Sequence, residues 1–86
     1  MLSRQIVAQN LSDYLNHRIT LNELVDWAEN AIMQGNVEEG SEKLIMQVLG
    51  RIAVADVKEF GLLWEDCEDI LKQLGFIIKV DVLKAA

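Results

Sequence analysis

The sequence predicts a mainly α-helical protein, a bundle of four main helices followed by a single C-terminal β-strand segment. Three observations predict it. Apolar residues recur at helical spacing along most of the chain, matched end signals stand at Thr20 and Gly75, and the period switches to alternation after Gly75. At 86 residues the chain can supply one hydrophobic core, so residues 1–75 form the bundle and 76–86 the strand segment of the same domain. Apolar residues make up 51% of it, with no proline and five glycines, which favours long regular elements over loops or disorder.

The first helix runs from Ser3 to Asn16, with Val7, Leu11, Tyr14 and Leu15 as its core stripe and Ile6 and Ala8 on the flank. His17 and Arg18 follow at its C-terminal end, where positive charge complements the helix dipole. Thr20-Leu21-Asn22-Glu23 is a capping box, and Ile19 with Leu24 supplies the hydrophobic staple. A second helix therefore starts at Leu21, with a stripe of Leu21, Leu24, Val25, Ala28, Ala31 and Ile32 and Trp27 at one edge. It stops near Gln34, because Gly35 suits the left-handed residue past a helix end. The short link to the first helix makes the two an antiparallel hairpin.

Gly35 to Ser41 is a polar link in which Asn36 and Glu39 stand as a cap and its third residue, enough for a turn of helix. Ser41 then caps the third helix, whose wide face of Leu44, Ile45, Val48, Leu49, Ile52 and Ala55 predicts contacts on two sides. Gly50 within it predicts a close helix–helix approach. Phe60-Gly61-Leu62-Leu63 reads as a turn with Phe60 and Leu62 plugging the core, and Trp64 to Leu74 as the fourth helix. Leu63 falls at the N-cap, where a Ser, Thr or Asp is usual. At the other end Gly75 places Leu71 and Phe76 on the paired apolar positions of a Schellman motif. Phe76 to Leu83 then alternates, with Ile78, Val80 and Val82 on one face of a strand. Three arrangements are open to that strand: a partner around Val57–Leu62, the same strand of a second subunit, or a tail without a partner.

Net charge is −6, with eight bases scattered singly against fourteen acids. Nucleic-acid and anionic-membrane binding both need clustered Lys and Arg, so neither partner is expected. A basic protein partner fits the charge, and so does simple solubility. One cysteine, Cys67, excludes an intrachain disulfide. The first ten residues carry no secretory pattern, so the expected compartment is the cytoplasm.

No cofactor motif, catalytic set or metal set is legible. Asp13 and His17 share a helix face at four-residue spacing, but nothing supplies a third ligand. Cys67 lies between Asp66 and Glu68, whose charges oppose a thiolate, and reads as a small buried hydrophobe. Glu65, Asp66, Glu68 and Asp69 are either a solvated helix start or a docking patch for a basic partner, extended by Glu38, Glu39 and Glu42. Trp27 reads as a packing residue, while Trp64 is as suited to anchoring a partner as to packing.

The run Ile6, Leu11, Tyr14-Leu15, Arg18-Ile19-Thr20-Leu21, Glu23-Leu24, Trp27-Ala28 resembles the first hairpin of small acidic bacterial immunity-type proteins, which neutralise colicin-like or contact-dependent toxins. The resemblance implies an immunity or antitoxin-like protein whose acidic face blocks the basic surface of a toxin. It carries over no toxin-binding residue and does not account for the terminal strand. The alternative expectation is a structural homodimer joined through Ile78, Val80 and Val82 of that strand.

Overall fold

Ser3 opens the first helix, its hydroxyl accepting from the Ile6 N–H at 3.2 Å. The computed structural model describes residues 1–57 and 61–77. Within them lie α1 (Arg4–Leu15), α2 (Leu21–Gln34), α3 (Glu42–Ala53) and α4 (Trp64–Gln73). The Thr20 capping box is complete. Glu23 N–H donates to the Thr20 hydroxyl at 3.2 Å, and Thr20 N–H donates to the Glu23 carboxylate at 2.9 Å. Gly35 ends α2 in the left-handed region at φ 66°. Gly75 ends α4 in a Schellman motif, with Gly75 N–H on the Lys72 carbonyl at 3.0 Å and Phe76 N–H on that of Leu71 at 2.8 Å.

A second Schellman motif closes α1, and no glycine marks it. His17 N–H donates to the Tyr14 carbonyl at 3.1 Å and Arg18 N–H to that of Asp13 at 2.8 Å. His17 therefore takes the left-handed position at φ 60°, which costs an L-residue about 1 kcal/mol. This geometry turns the chain sharply from α1 into α2.

One core joins all four helices. Val7, Ala8 and Leu11 of α1 meet Leu24, Val25 and Ala28 of α2, Ile45, Val48, Leu49 and Ile52 of α3, and Cys67, Ile70 and Leu71 of α4. Helix α2 makes its most extensive close backbone approach with α3, and α1 approaches both α2 and α4. Ile19, Tyr14, Trp27 and Ile32 pack half-buried at the margin. Leu62, as the sequence predicts, is buried in the link before α4, and so is Ala55 just past the end of α3.

Three expectations meet a different outcome. The Gly35–Ser41 link forms no turn of helix; it pairs with the N-terminus. Leu2 N–H donates to the Asn36 carbonyl at 2.8 Å and Glu38 N–H to the Leu2 carbonyl at 2.7 Å, a single parallel bridge between Leu2 and Val37. Arg4 adds an ion pair to Glu38 at 3.1 Å. Ser41 occupies the N-cap of α3, but its hydroxyl makes no capping bond. Gly50 is exposed, and a Cβ built there would meet nothing within 4 Å, so no neighbouring helix requires glycine at this position. The described residues contain no sheet. Phe76 and Ile77 lie outside any strand, as do Val57, Gly61 and Leu62. The strand residues Ile78, Val80 and Val82, and the core plug Phe60, fall outside the described residues.

Candidate functional site

The four acids of α4 look alike in the sequence and separate in the structure. Leu63 at the N-cap has no side-chain acceptor, so one half of a capping box is missing. Asp66 supplies the other half, its carboxylate accepting from Leu63 N–H at 3.0 Å. The same carboxylate faces Arg51 of α3 at 3.3 Å, and that guanidinium also donates to the Gly61 carbonyl at 2.9 Å. Asp66 is thus a structural clasp between α3, the link and α4. Glu68 lies 3.8 Å from Lys72 one turn on. Glu65 and Asp69 are exposed and face no cation among the described residues. Of the acids that could extend the patch, Glu38 is engaged by Arg4, and the Glu42 carboxylate accepts from Gly40 N–H.

Beside this divided patch the surface is apolar. Trp64 is 45% exposed and Leu63 67% exposed, and both open α4 directly beside Glu65. Val54 and Val57, just past α3, are exposed at the same junction. Leu63, which reads as a poor cap, lies on the surface, while Leu62 just before it is buried. Trp27, by contrast, packs half-buried against the core as expected.

The α3–α4 seam holds a groove of about 370 Å³. Gln47, Val48 and Arg51 form its α3 wall, and Asp66, Asp69, Ile70 and Gln73 its α4 wall. No local pattern announces this groove, because it depends on which turns of two separate helices stand opposite each other.

The remaining candidates carry structure. Asp13 accepts from Arg18 at 3.1 Å and from Gln9 at 3.0 Å, while the reversed backbone at His17 gives that residue a turn-forming role. No group of three His, Cys, Asp or Glu residues is placed to hold a metal among the described residues. Cys67 is fully buried, and burial pushes its thiol from 9.0 up to about 11, with Asp66 adding to the rise and Arg51 opposing it. Such a thiol is a packing group rather than a nucleophile at neutral pH. No described helix is long and apolar enough to cross a membrane. What the site offers is binding chemistry: an exposed aromatic and aliphatic pair, two open carboxylates and a groove between helices. Compared with protein-family models, curated proteins and solved structures, the chain matches none.

Proposed function

We propose that this protein is a non-catalytic protein-binding module that captures a basic partner through the start of α4. In its most concrete form it is an immunity or antitoxin-like protein of the cytoplasm that covers the cationic surface of a toxin. The observation that carries the reading is the exposed Leu63–Trp64 pair directly before Glu65, with Asp69 a second open carboxylate one turn on from Glu65. Tryptophan is enriched among the few residues that dominate interface energetics, and acidic edges steer cationic partners. The net charge of −6 adds the same long-range bias.

The test is co-expression with the products of the adjoining reading frames, followed by calorimetry and stopped-flow on any basic product that co-purifies. A stable complex is expected, with association slowed by added salt and by Glu65→Gln combined with Asp69→Asn. Trp64→Ala should weaken it by about 2 kcal/mol, roughly thirtyfold, as hot-spot truncations do. A complex indifferent to both changes removes this surface from the account.

A second reading, a homodimer joined by C-terminal strands, rests on the alternation of Ile78, Val80 and Val82 and on the exposure of Phe76 and Ile77 that lead into them. An apolar edge of this kind templates pairing between copies. Sedimentation of the whole chain should then report a dimer, and deletion of residues 77–86 a monomer. A monomeric whole chain ends that reading.

A further inference from the structure

We propose that the α3–α4 groove receives a single arginine or lysine side chain of the partner, with its charged head on Asp69; this rests on the protein-binding reading above and names what the surface grips. Across the seam, Arg51 of α3 stands against Asp66 of α4 at 3.3 Å. Gln47, one turn before Arg51 in α3, and Asp69, one turn after Asp66 in α4, line the same groove. At the first position the chain supplies both the acid and the base. A turn further along α4 it supplies a second acid, and Asp69 faces no cation among the described residues.

The rest of the lining suits a long cationic side chain. Val48 and Ile70 give an apolar floor for the methylene stem, since Lys and Arg cover apolar surface with their stems while the head stays polar. The Gln47 and Gln73 carboxamides each offer a carbonyl oxygen that can accept from an ammonium or guanidinium. The charged side chains lining the groove are Arg51, Asp66 and Asp69, an excess of one negative charge that a monocation offsets. A neutral or anionic side chain would leave Asp69 desolvated without compensation.

Nuclear magnetic resonance titration of the full chain with Nα-acetyl-arginine amide tests this without any partner protein. Saturable shifts are expected at the Gln47 and Gln73 side-chain amides and at Asp69, and uncharged Nα-acetyl-norleucine amide should not reproduce them. Asp69→Asn should weaken the interaction about fivefold, the scale of an exposed ion pair. Gln47→Arg should silence the groove by supplying the missing cation from within. Non-saturating shifts, equal binding by the norleucine probe, indifference to Asp69→Asn, or a Gln47→Arg variant that binds like the parent would each overturn the assignment. Loss of the Trp64 effect on partner binding with these shifts intact would instead count against the broader reading and leave the groove assignment standing.

Discussion

In thermal or urea denaturation, Leu49→Ala is expected to cost about 3 kcal/mol, the middle of the range for emptying a buried leucine site. Leu49 is 0% exposed and shares the core-facing stripe of α3 with Ile45, Val48 and Ile52. That stripe belongs to the helix with the most extensive approach to α2, so the void cannot be filled by a small side-chain shift from solvent. The loss combines the transfer energy of the removed methyls with the cavity they leave. A domain of this size carries roughly 5–10 kcal/mol in total. The midpoint should therefore fall by roughly 15 °C. Leu44, half-buried on the same helix, is the internal control, and its alanine variant should lose about 1 kcal/mol. Equal losses at the two positions would mean that the α3 stripe does not face the core as described.

The second large effect is expected at Asp66. Asp66→Ala removes the acceptor for Leu63 N–H and the counter-charge of Arg51 in one step. Both side chains of the pair are about one-third exposed, so the Coulombic part is partly screened. The expected loss is about 2 kcal/mol, comprising a cap contribution near 1 and an ion-pair contribution of similar size. Glu65→Ala and Asp69→Ala, both exposed and outside any described ion pair, should change stability by less than about 0.5 kcal/mol. Chemical denaturation of the three variants side by side decides the matter. If all three behave alike, the division of the patch into one clasp and two open charges is wrong. The same contrast governs how the binding surface must be probed, because neutralising all four acids together would unfold the clasp and imitate a loss of recognition.

What the sequence made legible was chemistry confined to a few neighbouring residues. Thr20 with Glu23, Gly35, and Gly75 with Phe76 each mark a helix end through bonds that span six residues or fewer, and each stands where its pattern places it. The apolar stripes were legible for the same reason, since helical spacing alone determines which face is buried. His17 was missed because any residue can hold the left-handed position when the flanking bonds outweigh its cost, and only glycine advertises that position in a sequence. Gly50 was misread because its surroundings are set by the angle at which helices cross, which no spacing encodes. The site shows the same limit. Trp64 and the four acids were visible as candidates, but the assignment of Asp66 to Arg51, and the shared place of Gln47 and Asp69 in the lining of one groove, depend on tertiary register. The alternating segment with Ile78, Val80 and Val82 lies outside the described residues.

The contact between Leu2 and Val37 sets an order of events in folding. Bringing such distant residues together costs roughly 3 kcal/mol in loop entropy. Two backbone bonds return about 2 kcal/mol. The bridge is therefore a passenger on the hairpin of α1 and α2, latched after the helices have already brought its halves within reach. It should also be the first piece to unlatch, so that the Leu2 and Glu38 amides exchange their protons with water well before the stripe around Leu49 gives way.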